Sequence, residues 1–91
     1  MGKEKILNEI CEILCNRGHV QKTLDPLGYH LDNSSEEVSG ETKIIDDLGL
    51  DSMDVIEVIQ DIEDKFSIDL EVSPDMKMLN DLAEKVAKLI N

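Results

Sequence analysis

Hydrophobic residues recur at helical spacing in three separate stretches of the chain. In the first stretch, residues 3–17, the apolar face contains Ile6, Ile10, Ile13 and Leu14, with Leu7 at its edge. The glutamates of this stretch fall mostly on the other sides of the helix. Arg17 followed by Gly18 is typical of a helix end. The pattern therefore predicts a first helix over residues 3–17.

The second stretch, residues 51–66, has the clearest amphipathic pattern. Its apolar stripe contains Val55, Ile59, Ile62 and Phe66, with Ile56 and Val58 beside it. Its opposite side carries Asp54, Glu57, Gln60, Asp61 and Asp64. Either Asp51 or Ser52 can cap the exposed backbone N–H groups at the start of this helix. We therefore predict a second helix over residues 51–66.

The third stretch lies near the end of the sequence. One apolar face contains Leu79, Leu82, Val86 and either Leu89 or Ile90, which predicts a helix over residues 79–90. Just before it, Ser73-Pro74-Asp75 has the features of a helix start, because a capping Ser is followed by Pro at the first helical position. We therefore expect an additional short helix over residues 74–78.

The long segment between the first two helices is harder to assign. Asp25-Pro26 could begin a helical turn, whereas the polar residues 32–35 favour irregular chain. Residues 18–50 are therefore interpreted as a long loop or an insertion, and no stretch has a convincing strand pattern. The predicted fold is all-α, a small bundle of three main helices plus one short helix. It forms a single domain over residues 1–91.

The charge of the chain narrows the range of its partners. Nine basic and 21 acidic side chains give the 91 residues a formal net charge of −12. Nucleic acid and anionic membranes would repel such a chain, so nucleic-acid binding is excluded. No apolar run approaches the roughly 18–20 residues of a membrane-spanning helix, and the start has no secretory pattern, so no membrane insertion is expected. We expect a cytoplasmic protein whose partners have basic surfaces.

Two residues at the start of the second helix could carry a function. Met53 lies among carboxylates on the polar side and could contact a partner, although single exposed apolar residues are common. Ser52 could be a simple N-cap. Its hydroxyl could instead carry a phosphoryl group, which a helix N-terminus stabilises. No His lies nearby in sequence to activate this hydroxyl, so modification by another protein is favoured over catalysis by this chain.

Three possible metal ligands lie on the first helix and just beyond its end. Cys11, Cys15 and His19 are spaced four residues apart. A structural zinc site usually has four ligands, and the sequence offers no fourth here. A disulfide is not expected in a reducing cytoplasm. We therefore expect no metal site and interpret the two cysteines as free thiols.

Residues 36–66 closely resemble the central region of acyl carrier proteins. The resemblance rests on the run Asp47-Leu48-Gly49-Leu50-Asp51-Ser52, then an apolar residue and Asp54, and on the helix ending Glu63-Asp64-Lys65-Phe66. Met53 stands where the family usually has Leu, a change that conserves side-chain volume. Residues 3–17 and 79–90 also resemble the family's first and last helices in character. The fold implied is a small acyl-carrier-like bundle.

The resemblance implies a carrier that is not an enzyme. A separate phosphopantetheinyl transferase would attach 4′-phosphopantetheine from coenzyme A to Ser52, with Asp51 helping to position the metal and the transferase. The thiol of the arm would carry acyl groups as thioesters between basic-surfaced acyl-transfer and synthase enzymes of fatty-acid or polyketide type. The implied recognition face contains Met53, Asp54, Glu57, Asp61, Glu63 and Asp64. The implied acyl-chain pocket contains Leu48, Val55, Ile59, Ile62 and Leu82.

The chain departs from the family before residue 36, where it is longer by about one helix. We interpret the extra residues as an insertion after the first helix, which suggests a restricted set of partners. The alternative is a family helix over residues 19–31, but Pro26 inside it would cost about 3 kcal/mol.

Other functions remain as alternatives to an acyl carrier. The cargo could be an aminoacyl or peptidyl thioester on the same fold. The chain could also be an unmodified acidic interaction module in which Ser52 is only a cap. We expect a monomer.

Overall fold

Each helix of the protein buries one apolar face and leaves its charged face in solvent. The computed structural model describes residues 2–22, 28–31, 36–71 and 76–90. Its elements in chain order are α1 (Lys3–Asn16), β1 (Val20–Lys22), β2 (Tyr29–Leu31), α2 (Ser52–Phe66) and α3 (Leu79–Ile90). Within these ranges, no helix is both long and apolar enough to cross a membrane. The described fold is mostly helical, with a small sheet between α1 and α2 in the sequence.

One aliphatic core joins the three helices. α1 packs against both α2 and α3. The large side chains that are most completely buried are Ile6, Ile10, Leu14, Val20, Ile62, Leu79 and Val86. Burying a side chain of this size contributes about 1.5–3 kcal/mol to stability. The described core is therefore held mainly by aliphatic packing between helices.

The turn after α1 brings Arg17 beside α2. α1 ends at Asn16, and Arg17 is its C-cap. Gly18 has a φ of 81°, a left-handed conformation that glycine adopts without steric cost. Gly18 N donates to Cys15 O at 3.0 Å, which closes the turn.

A two-stranded antiparallel hairpin follows this turn, so the all-α prediction is wrong here. Val20 pairs with Leu31, and both side chains are buried. The chain after β2 continues this pairing, because Val38 N donates to Tyr29 O at 2.9 Å. Each strand has only three residues, which is shorter than the runs of about four to eight that a sequence pattern can identify.

The hairpin forms because its apolar residues cover α1. Val20 is 1% exposed and belongs to the same core cluster as Ile10 and Leu14. These strands also exclude the alternative helix over residues 19–31. The helical turn considered at Asp25-Pro26 and the polar residues 32–35 lie outside the described residues.

The short helix expected over residues 74–78 is absent from its described part. Residues 76 and 77 have no helical structure, and Met78 forms a β-bridge with Lys43. Ile44 N donates to Lys77 O at 2.9 Å. This backbone group therefore pairs with the loop before α2 and not within a helix of its own. Residues 74 and 75 lie outside the described part of the chain.

Candidate functional site

Ser52 is the first residue of α2, and its side chain is exposed. The cap of this helix is Asp51, whose Oδ1 accepts the backbone N–H of Asp54 at 2.9 Å. In return, Asp54 Oδ2 accepts the backbone N–H of Asp51 at 3.3 Å. Of the two candidate caps, the structure therefore selects Asp51. Among the described residues, none forms a hydrogen bond with the Ser52 hydroxyl, which leaves it open to another molecule.

The loop before Ser52 is held by contacts of its own. Asp47 N donates to Lys43 O at 3.1 Å, and Asp47 Oδ2 accepts the backbone N–H of Lys43 at 2.8 Å. Gly49 has a φ of 69°, so the chain turns where a side chain would be strained. Leu50 is 3% exposed and anchors the end of the loop in the core. These contacts hold the loop that leads to Ser52 at the start of α2.

Large apolar side chains are exposed on the first turns of α2 and in the loop before it. Met53 is 70% exposed, in agreement with its position on the polar side of the helix. Ile56 is 51% exposed and Ile45 is 65% exposed, and sequence reasoning assigned neither to this surface. On a helical wheel, Ile56 lies only about 60° from Met53, so the sequence held a signal for it. Ile45 lies in the loop, where no periodic pattern indicates exposure.

Arg17, the single arginine of the chain, lies across the acidic face of α2. Its Nε and Nη2 donate to the two carboxylate oxygens of Asp61. Its Nη1 donates to Glu57 Oε2 at 2.9 Å. A planar guanidinium binds one carboxylate through two nitrogens in this way and still has a third nitrogen for another. Two acids of the expected recognition face are thus paired within the chain.

This ion pair changes the titration of both partners. The hydrogen bond from Arg17 lowers the pKa of Asp61 below its ordinary value, and desolvation of the carboxylate opposes that effect only in part. The hydrogen bond to Asp61 raises the pKa of Arg17, with further attraction from Glu57. Both side chains are therefore charged at neutral pH.

The other acids of the expected face differ in how freely they could bind a partner. Asp54 belongs to the capping box, and Glu63 Oε2 accepts the backbone N–H of Leu70 at 2.9 Å. Asp64 is exposed and has no hydrogen bond or ion pair with the described residues. The acidic face therefore combines acids that hold the fold with at least one acid that is free.

A small apolar cavity lies between α2, α3 and the loop before α2. Its volume of about 10 Å³ leaves room for about one water molecule. Of the expected pocket residues, Val55, Ile59 and Leu82 line it, whereas Leu48 and Ile62 do not. The other lining residues are Leu14, Ile44, Leu50, Val58 and Leu79. Val58 lies on α2 with Val55 and Ile59, whereas the others come from α1, α3 and the loop before α2, so no local pattern could have grouped these with α2.

The two cysteines are free thiols on α1. Burial raises the pKa of Cys11 to about 11, so its thiol is neutral at physiological pH. Within the described ranges, no group of three or more His, Cys, Asp or Glu side chains is arranged to hold a metal ion.

Comparison with known proteins identifies the family. Residues 31–89, which include α2 and all but the last residue of α3, match the family described as phosphopantetheine attachment site. The acyl carrier protein of Lactococcus lactis subsp. cremoris (strain MG1363) is 36% identical over 66 residues, which cover 72% of this chain and 89% of that protein. The acyl carrier protein of Wolinella succinogenes is 42% identical over 57 residues, covering 63% of this chain and 64% of that protein. These matches confirm the resemblance: the chain belongs to the acyl carrier protein family, and its cofactor is a covalent 4′-phosphopantetheine.

Proposed function

We propose that this protein is a non-catalytic acyl carrier that bears its phosphopantetheine arm on Ser52. It delivers acyl groups, held as thioesters, to enzymes of fatty-acid or polyketide synthesis. The observation that carries the proposal is an exposed Ser52 hydroxyl at a helix start that Asp51 already caps. A serine that served as the cap would give up a hydrogen bond when modified, whereas this serine gives up none with the described part of the chain.

The start of α2 also suits a phosphate ester. The first backbone N–H groups of a helix have no acceptor within it, and the helix dipole favours negative charge at this end. Asp51 accepts the N–H of Asp54, which leaves the N–H groups of Ser52 and Met53 at the open end of the first turn. A phosphate on Ser52 would therefore be stabilised by backbone groups that the fold leaves available.

The attachment step requires a base from outside this chain. In that step the Ser52 oxygen bonds to the phosphorus that carries the pantetheine unit of coenzyme A, and adenosine 3′,5′-bisphosphate leaves. The hydroxyl proton passes to a base of the phosphopantetheinyl transferase, because no described residue of this chain forms a hydrogen bond with the hydroxyl. Asp51 uses Oδ1 for the cap, and no described residue forms a hydrogen bond with its Oδ2, which could therefore face the transferase and its metal ion.

We also propose that the apolar cavity is where an acyl chain begins to enter the protein. The cavity is closed to anything larger than about one water molecule, so α2 and its preceding loop must move away from α3 to admit a chain. Each methylene buried there would contribute about 0.8 kcal/mol. Leu48 and Ile62 would join Val55, Ile59 and Leu82 as the pocket enlarges.

The proposed partners are a phosphopantetheinyl transferase and basic-surfaced acyl-transfer and synthase enzymes. Met53 provides an exposed apolar contact, and the acids of α2 surround it with negative charge. The proposed contact set is Met53, Asp54, Glu57, Asp61, Glu63 and Asp64. Each exposed ion pair contributes only about 0–1 kcal/mol, so docking is transient, as a carrier that visits several enzymes requires. We propose that it acts as a monomer in the cytoplasm, where its thiols would stay reduced.

The deciding experiment is incubation with a promiscuous phosphopantetheinyl transferase and coenzyme A, followed by intact mass measurement. The wild type and a control variant, Ser67→Ala, should each gain one phosphopantetheine, and Ser52→Ala should gain none. A wild type that stays unmodified would support the acidic interaction module instead, and a modified Ser52→Ala would place the arm elsewhere. The mass of the protein purified from its own host then separates an acyl cargo from an aminoacyl or peptidyl one.

A further inference from the structure

The side chain of Arg17 lies against the part of α2 to which a basic partner would bind. It pairs with Asp61 and Glu57, both of which belong to the docking face proposed above. We propose that Arg17 is a specificity-determining residue whose guanidinium competes with an arginine of the partner for these two carboxylates. A partner docks at this position by displacing Arg17. The proposal rests on the docking role of α2 and adds a competitor that comes from the carrier itself.

The contact of Arg17 with Asp61 and Glu57 shows which chemical group these two carboxylates bind. Asp61 receives two nitrogens of one guanidinium, and Glu57 receives the third at 2.9 Å. A lysine ammonium is a compact point charge and cannot reproduce this planar arrangement. The partner group that fits in place of Arg17 is therefore an arginine side chain, presented so that its three nitrogens reach the same two carboxylates.

The exchange is sterically and electrostatically feasible. The exposed fractions of the side chains are 33% for Arg17, 47% for Glu57 and 36% for Asp61. Because all three are open to solvent, displacement of Arg17 leaves no charge buried without a partner. Arg17 follows the last residue of α1, so its side chain can leave α2 without unwinding a helix.

The competition separates partners by where they contact α2. A partner that contacts only Met53 and the free Asp64 does not compete with Arg17 and loses no affinity. A partner whose attraction depends on Glu57 and Asp61 must match the bidentate contact that it replaces. Exposed ion pairs are weak, so this competition would change affinity by only several-fold, which suits selection among transient partners.

Lys65 provides a matched control for Arg17. Its Nζ lies 2.9 Å from Glu9 Oε2, so it also joins α2 to α1 through one ion pair. Replacing either residue by Gln removes one positive charge, but Lys65→Gln breaks one ion pair whereas Arg17→Gln breaks the ion pairs with both Glu57 and Asp61. Only Arg17→Gln releases Glu57 and Asp61.

The test measures binding of fluorescein-labelled hexa-arginine to the full, unmodified chain by fluorescence anisotropy at low salt, where exposed charges are least screened. Arg17→Gln should bind the peptide about fivefold more tightly than the wild type, and Lys65→Gln at most about twofold. Arg17→Gln should increase the affinity for hexa-lysine less than the affinity for hexa-arginine. Adding Asp61→Asn to Arg17→Gln should remove most of the gain.

Equal gains for Arg17→Gln and Lys65→Gln would show an effect of net charge alone and would overturn the proposal. No gain for Arg17→Gln would also overturn it, provided that circular dichroism shows the variant folded. If it is unfolded, Arg17→Lys takes its place, since it keeps the charge but not the bidentate contact and should show a smaller gain of the same sign. The assay uses unmodified protein, so a failure of Ser52 modification leaves its result unchanged, and its own failure leaves Ser52 modification intact.

Discussion

Asp51 and Asp54 exchange two hydrogen bonds across the first turn of α2, at 2.9 and 3.3 Å. Because this pair caps the helix start, the neighbouring Ser52 is not needed as a cap, and its hydroxyl forms no hydrogen bond with the described residues that attachment of the arm would disturb. Capping by Asp51 and the proposed modification of Ser52 thus fall on adjacent residues. The stability of α2 and the accessibility of the proposed attachment residue can therefore be tested separately.

Asp51→Ala should lower the free energy of unfolding by about 1 kcal/mol, because the backbone N–H of Asp54 loses its acceptor. Asp51→Asn should retain most of the stability, since an amide oxygen can accept the same hydrogen bond. Urea unfolding followed by circular dichroism measures both effects. Asp64→Ala removes one exposed acid from the same helix and should change stability by less than about 0.5 kcal/mol. Equal losses for Asp51→Ala and Asp64→Ala would contradict the capping role.

Met53→Glu should impair loading by the phosphopantetheinyl transferase while leaving stability within about 0.5 kcal/mol of the wild type. The reason is that Met53 is 70% exposed at the residue after Ser52, so it can contact a partner without supporting the core. Gln60→Glu adds the same charge at another exposed position of α2 and should load normally. Loading rates from intact mass and thermal melts measure the two properties. A large loss of melting temperature in Met53→Glu would contradict the surface position of this side chain.

Ile62→Ala and Ile56→Ala make the same substitution on the two sides of α2, and their effects on the free energy of unfolding should differ strongly. Ile62 is 0% exposed, so its truncation leaves a cavity and should cost about 2–5 kcal/mol. Ile56 is 51% exposed, and its truncation should cost less than about 1 kcal/mol. Chemical denaturation of both variants measures the difference. Similar costs would show that α2 is rotated about its axis relative to this structure.

The contrast between these two isoleucines also shows how far sequence reasoning reaches. α2 and its apolar stripe could be predicted because these signals lie within one helix, whereas the pattern left Asp51 and Ser52 as alternative caps and only the structure selects Asp51. Ile56 stood beside the stripe in the sequence pattern, yet it belongs to the exposed side with Met53. Its angle on the helical wheel, about 60° from Met53, predicts that side as well.

Contacts between distant segments could not be predicted in this way. Arg17 and Asp61 are 44 positions apart, and nothing in either local pattern indicates that they meet. The three-residue strands β1 and β2 depend likewise on packing against α1. The cavity residues from the loop and from α3 join those of α2 only after the chain has folded. Ser52 could be identified from local sequence as the candidate attachment residue, whereas the pairing of Arg17 with Glu57 and Asp61 could not.

Cys11 should make the protein less stable as the pH rises from 9 to 11. The thiol of the unfolded chain loses its proton around its ordinary pKa of 9.0, whereas burial raises the pKa of the folded Cys11 thiol to about 11. Unfolding therefore releases a proton in this range, and the stability present below pH 9 falls by about 2–3 kcal/mol by pH 11. Cys11→Ala removes this contribution without adding a charge. Urea unfolding at several pH values should show a steeper loss for the wild type than for Cys11→Ala, with Cys15→Ala behaving like the wild type. Parallel curves for wild type and Cys11→Ala would mean that the Cys11 thiol titrates in the folded protein as it does in the unfolded chain.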